Sequence, residues 1–378
     1  MMGSRSPVDA MERITPLLSI QALRAVAAAL VVIYHLINAE SVYGGGITVL
    51  GGPAHFGFAG VDVFFVISGF IMATVTAGQF GSRARALDFL GKRAVRILPL
   101  YWICTAVIAA MVMLRPGSLD PALADRSLVH SLLLIPQEGG PLLVVGWTLT
   151  YELLFYAATA LALAFGSRRH VPWLLLGWAA SLLALQAVPA QGPIVALLTS
   201  PLSIEFIAGA AVGLYWRKLP TALAWPAMLL ALAWMATAAM VLIDVPGHGQ
   251  TDGVRVIAFG LPAALLVAGV ARLEHAGRVR VPRLAVILGD ASYSLYLTHL
   301  FVMSIMGRLW SALGAHGTIG SNVGFLVATF CACCVAAVIV HRVLERPLMT
   351  MGNALWDWLA KAWNIRRPAT ATRSHVAN

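Results

Sequence analysis

The sequence predicts an all-α polytopic integral membrane protein of about ten transmembrane helices, with both termini cytoplasmic. Three observations carry this. Of 378 residues, 60% are hydrophobic and only 11% charged, where a soluble domain carries roughly a quarter charged residues. Many apolar runs reach about 20 residues, enough to cross a bilayer. The basic residues also collect on one set of connecting segments.

The expected spans are about 17–38, 60–77, 96–114, 143–166, 172–188, 196–215, 222–243, 254–271, 286–311 and 321–343. The first run is too long for a typical signal-peptide core and lacks a small-residue cleavage site, so it is expected to be a retained span. With the N-terminus inside, the inner segments hold Arg83, Arg85, Lys92, Arg93, Arg96, Arg168, Arg169, Arg217, Lys218 and Arg272, among others. The outer segments hold only Arg115, Arg126, Arg255 and Arg308. That asymmetry follows the positive-inside rule. It also explains the net charge of +10 without a nucleic-acid partner. The expected organisation is a cytoplasmic segment 1–16, a transmembrane domain 17–347, and a tail 348–378. The tail begins as a tryptophan-rich interfacial helix, "NALWDWLAKAW", on the cytoplasmic surface and ends in a disordered stretch.

Cys104, Cys331, Cys333 and Cys334 all lie in apolar spans with no histidine or second cysteine pair at ligand spacing. They read as small packing residues, and no metal is expected.

A titratable side chain inside a bilayer is costly, so each one is a functional hypothesis. Arg24 and His35 stand eleven residues apart in "RAVAAALVVIYH". At about 100° per residue that is three turns plus roughly 20°, so they share a face about 16 Å apart along the axis. Arg24 is expected towards the cytoplasm and His35 near the outer end. Asp62, at the outer start of the next span, is expected either to hydrogen-bond the His35 imidazole and fix its tautomer or to cap its own helix. Lys92, Arg93 and Arg96 cluster where the third span leaves the cytoplasm, with Arg93 and Arg96 on one face. Such a helix start suits an anion such as phosphate.

Glu152, within "GWTLTYELLFY", must be neutral or paired with a cation such as Arg24. Glu205 is a second intramembrane acid. Tyr293, Tyr296 and His299 recur at threes and line one face, with Asp290 capping the start of that helix. Arginines inside and an imidazole outside suggest a membrane-crossing slot for a long anionic donor. Acyl-CoA has that shape, with a phosphorylated head and a thin arm ending in a thioester.

The stretches "IQALRAVAAALVVIYH", "GVDVFFVISGF", "KRAVRILPLYW", "WTLTYELLFY", "LGDASYSLYLTH" and "ERP" span about 20–347. In this order they resemble the membrane-bound acyltransferase-3 family, most of all its bacterial exopolysaccharide O-acetyltransferases. The resemblance implies a multi-pass protein of the bacterial inner membrane. It implies transfer of an acetyl or other short acyl group from cytoplasmic acetyl-CoA or another acyl-CoA to a sugar hydroxyl of a polysaccharide or lipid-linked oligosaccharide.

The family's essential histidine maps onto His35, its partner arginine onto Arg24, its arginine pair onto Arg93 and Arg96, and its tryptophan-to-glutamate element onto Trp147 and Glu152. The candidate catalytic residues are thus His35, Asp62 and Glu152. The candidate donor-binding residues are Arg24, Lys92, Arg93 and Arg96, and the candidate acceptor-binding residues are Trp147, Tyr293 and His299. Two other readings place buried charges in a similar way: a flippase or transporter of a lipid-linked sugar, and an acyltransferase acting on a small molecule such as a macrolide. Against the first, the two halves show no corresponding broken helices.

Overall fold

The computed structural model describes residues 17–114, 123–186, 191–314 and 317–362, and these are helical throughout their regular structure. The chain order is α1 (Leu18–Tyr43), α2 (Ala59–Val75), α3 (Arg83–Leu114), a short α4 (Leu128–Leu133), α5 (Trp147–Phe165), α6 (Val171–Leu185), α7 (Pro193–Thr199) and α8 (Ser203–Tyr215). It continues with α9 (Thr221–Leu242), α10 (Asp252–Arg255), α11 (Leu261–His275), α12 (Arg283–Asp290), α13 (Ser292–Ala312), α14 (Ile319–Val340) and α15 (Arg346–Ala362). The disordered stretch expected at the end of the chain lies outside the described residues.

Among the described residues, eight helical segments are long and apolar enough to cross a membrane, and nine if α12 and α13 count as one span. The protein is a multi-pass membrane protein. Its spans differ from the expected ten in two places. The segment expected at 172–188 forms α6, a helix of 15 residues, which at 1.5 Å per residue reaches only about 22 Å. The span expected at 286–311 is broken, with α12 and α13 meeting at 72°.

Backbones approach closely where glycine leaves room. A Cβ added to Gly69 of α2 would lie 2.0 Å from the Phe206 carbonyl oxygen, and one on Gly209 of α8 would lie 2.0 Å from that of Val66. These helices therefore pack glycine against backbone, the usual device where lipid removes the hydrophobic drive for helix association. The same closeness holds between α1 and α2, where Gly60 faces the Ala27 carbonyl. α1 and α2 thus lie at the centre of the bundle.

Two π-turns interrupt the helices, at Val256–Gly260 between α10 and α11 and at His341–Glu345 between α14 and α15. The second joins α14 and α15 into one helical path, and α15 then docks on α3. Trp356 donates its indole N–H to Asp88 at 3.1 Å, over the gap left by Gly91. Trp358 stays exposed. One of the tail tryptophans is therefore a packing residue against α3.

Candidate active site

A cavity of about 110 Å³ opens between α1, α2, α3, α5 and α13. Its charged lining is Arg24, Arg93, Arg96 and Glu152: three guanidinium groups against one carboxylate. The local geometry explains how each is held. Arg24 Nε donates to Ser292 Oγ at 3.2 Å, at the first residue of α13. Arg93 lies over the rings of Phe89 and Tyr156, at 5.5 and 5.8 Å. Arg96 lies over Tyr293 at 5.9 Å, and the Tyr293 hydroxyl donates to the Ile97 carbonyl at 2.7 Å.

Glu152 accepts from Ser68 Oγ at 3.3 Å and from the Tyr156 hydroxyl, one turn further along α5. The expected partnership of Glu152 with a cation takes a looser form than a direct pair. Glu152 shares the cavity with the three arginines, and its nearest partners are hydroxyls.

At the other end of the cavity Thr148 and Tyr296 close the wall. Thr148 Oγ1 donates to the Tyr296 hydroxyl at 2.9 Å, and that hydroxyl donates to the Val145 carbonyl at 2.8 Å. Beyond Tyr296, at 6.2 Å between ring centroids, stands His299. His299 in turn faces His35 at 4.9 Å. Each imidazole uses Nδ1 on the carbonyl four residues back: His35 on Val31 at 2.9 Å and His299 on Leu295 at 3.1 Å. A carbonyl accepts only, so Nδ1 carries the proton and Nε2 keeps its lone pair in the neutral ring. His35 is half-buried. His299 is fully buried, and its Nε2 has no hydrogen-bond partner among the described residues.

Both Arg24 and His35 therefore meet α13, the first at Ser292 and the second at His299. The two contacts come in the same order along both helices, so α1 and α13 run in the same direction here.

Three expected placements need correction. Asp62 does not reach the His35 imidazole and does not cap its helix. It is fully buried against Arg255, with Oδ1 accepting from Nε at 3.2 Å and Oδ2 from Nη2 at 2.9 Å. A forked guanidinium outcompetes an imidazole for a buried carboxylate because it offers two parallel donors and a full charge. Lys92 does not line the cavity: it pairs with Asp88 at 2.6 Å on the helix surface. Trp147 also lies outside the lining and packs on Phe65 and on Arg255, whose guanidinium it faces at 5.7 Å. Glu205 is buried beside the π-turn, next to the Asp62 and Arg255 pair.

Sequence reasoning missed Arg255, Ser292 and Glu345. Arg255 reads as a flanking charge of an outer loop. Glu345 falls beyond the last apolar run and reads as cytoplasmic, yet it is 1% exposed and lies 2.9 Å from Arg96. The only available signal was its place in the closing "ERP".

Residues 17–341 match a family described as an acyltransferase domain. The chain belongs to the acyltransferase-3 family. The protein is a membrane acyltransferase. It is 34% identical over 305 residues to the exopolysaccharide production protein ExoZ of Rhizobium meliloti (strain 1021), covering 79% of this chain and 91% of that protein. It is 27% identical over 341 residues to the acyltransferase MdmB of Streptomyces mycarofaciens, covering 81% of this chain and 82% of that protein. No solved structure matches the acyltransferase.

Proposed function

We propose that this acyltransferase moves an acetyl or other short acyl group from cytoplasmic acyl-CoA, with acetyl-CoA first among the donors, to a sugar hydroxyl. The acceptor is an exopolysaccharide or its lipid-linked precursor, and the enzyme works in the bacterial inner membrane. The observation that carries the reading is the cavity itself. Three arginines against one glutamate make an anion-seeking mouth, and the wall opposite leads through Tyr296 to two imidazoles. The likeness to an exopolysaccharide production protein supports the acceptor class.

In this reading Arg24, Arg93 and Arg96 hold the phosphate groups of the donor, since guanidinium forks match phosphate oxygens. His35 Nε2 takes the proton of the acceptor hydroxyl as its oxygen attacks the thioester carbonyl. The C–S bond breaks, and the same proton passes to the departing thiolate. General-base action of this kind contributes roughly 10²–10⁴-fold. His299 acts on the acceptor side, Tyr293 stands under Arg96 on the donor side rather than at the acceptor, and Glu152 is kept in place by Ser68 and Tyr156.

The test is NMR of the polysaccharide from cells with the wild-type protein, without it, and with His35→Ala. Loss of O-acetyl signals from a polymer that is still exported supports the enzyme. Loss of export itself identifies a flippase. A correctly inserted His35→Ala protein with full activity overturns the assignment of His35. Rapid quench with labelled acetyl-CoA and no acceptor tests the direct route, which a trapped acyl group on His35 would defeat.

A further inference from the structure

We infer that Glu345 is the positioning residue that holds Arg96 in place for an anionic ligand. The ligand is the phosphate portion of acyl-CoA if the donor reading above is right, and the inference rests on that reading to this extent.

A carboxylate buried inside a membrane protein is expensive unless it is paired and hydrogen-bonded. Glu345 is 1% exposed, and both of its oxygens have polar neighbours. Its Oε2 accepts from Ser294 Oγ at 2.6 Å and contacts His341 Nδ1 at 2.9 Å. Its Oε1 lies 2.9 Å from Arg96 Nη1. Glu345 closes the π-turn His341–Glu345, a departure from α-helix that recurs at functional sites.

The contact to Arg96 has a particular form. Oε1 has no aligned hydrogen-bond donor, and Nη1 instead donates to Met349 Sδ at 3.0 Å. The guanidinium is thus held at one corner by charge and by a weak sulfur acceptor. Among the described residues no protein group accepts from Arg96 Nε or Nη2, while Arg96 lines the cavity. A long arginine left loose would lose side-chain entropy on binding. An arginine anchored at one corner, with its ring neighbour Tyr293 beside it, has lost much of it beforehand and keeps its remaining donors for a ligand.

The same short stretch joins the neighbouring arginine to this device. Ser292 accepts from Arg24, Tyr293 lies under Arg96, and Ser294 donates to Glu345. These three consecutive residues open α13 at its 72° break from α12, so the first turn of one helix touches both guanidinium groups and the Glu345 carboxylate.

The test uses the full-length protein in lipid nanodiscs. Phenylglyoxal modification of Arg96 is read by peptide mass spectrometry, with coenzyme A or inorganic pyrophosphate as protecting probe. Both should protect the wild type. In Glu345→Gln the concentration giving half-protection should rise roughly 10- to 100-fold, the scale of a misplaced binding group, and Glu345→Asp should recover part of the loss. If Glu345→Gln does not fold, Ser294→Ala removes one bond to the carboxylate and should still raise the half-protection several-fold.

Unchanged protection in these variants overturns the inference. Tighter protection in Glu345→Gln also overturns it, because the carboxylate would then be competing with the ligand for Arg96. Pyrophosphate protection that depends on Glu345, without protection by coenzyme A, keeps the inference and removes the donor reading. Coenzyme A protection that ignores Glu345 does the reverse. No protection of the wild type by either probe overturns both.

Discussion

The imidazole of His35 stands 4.9 Å from that of His299, ring centroid to ring centroid, and both rings present an Nε2 lone pair because both Nδ1 atoms are engaged by the preceding helical turn. A buried lone pair without a partner costs about 1–3 kcal/mol. His299 bears that cost next to the candidate base. His299→Gln is therefore expected to lower kcat for acyl transfer roughly 10²-fold with little change in KM for acyl-CoA. A steady-state comparison in nanodiscs checks this, and an unaltered kcat would reduce His299 to a packing residue.

Asp62 and Arg255 form a buried ion pair, 0% and 6% exposed, wrapped by Phe58 and Trp147. Removing one partner of such a pair costs about 3–5 kcal/mol, whereas replacing both by apolar groups costs far less. Glu205 interacts electrostatically with both members. Arg255→Met strands two acids and should be the worse single change, Asp62→Leu the milder, since Glu205 remains near Arg255. The double variant Asp62→Leu with Arg255→Met should recover most of the loss. Thermal melting of the four proteins in one detergent measures the cycle.

Gly209 leaves a Cβ-sized gap that the Val66 carbonyl already fills. The obstacle is backbone, which cannot rotate away. Gly209→Ala should cost about 1–3 kcal/mol, the range for overpacking, and lower Tm. Gly177, with nothing within 4 Å of an added Cβ, is the control. Gly177→Ala should leave Tm unchanged or slightly raised.

Lys92 pairs with Asp88 at the surface, with 53% of its side chain exposed, while Arg93 lines the cavity. Lys92→Ala should change stability by less than about 1 kcal/mol and leave coenzyme A binding intact. Arg93→Ala should weaken that binding. Titration of coenzyme A against the two variants compares them directly, and equal losses would place the donor elsewhere on this helix face.

Much of the fold is legible in the sequence because it depends on local properties. A run of some 20 apolar residues must satisfy its own backbone hydrogen bonds in lipid, so it is helical whatever its neighbours are. That is why each expected span falls on helical structure, whole or broken. The shared face of Arg24 and His35 is equally local, since it follows from the helical repeat, and both residues do meet α13. The length of α6 and the break between α12 and α13 depend on what surrounds them and were not foreseeable.

Within the candidate site, the types of residue were legible and their partners were not. Arg24, Arg93, Arg96, Glu152 and Tyr293 stand out as polar groups in apolar runs, and the fold brings them to one cavity. Which polar group meets which was decided by packing between helices distant in sequence. Asp62 goes to Arg255, His35 to His299 and Arg96 to Glu345. In a bilayer a charge must find a partner, so the sequence alone determined that these residues are paired or functional. Only the tertiary structure chose the partners, because the choice rests on which helix faces the packing turns towards one another.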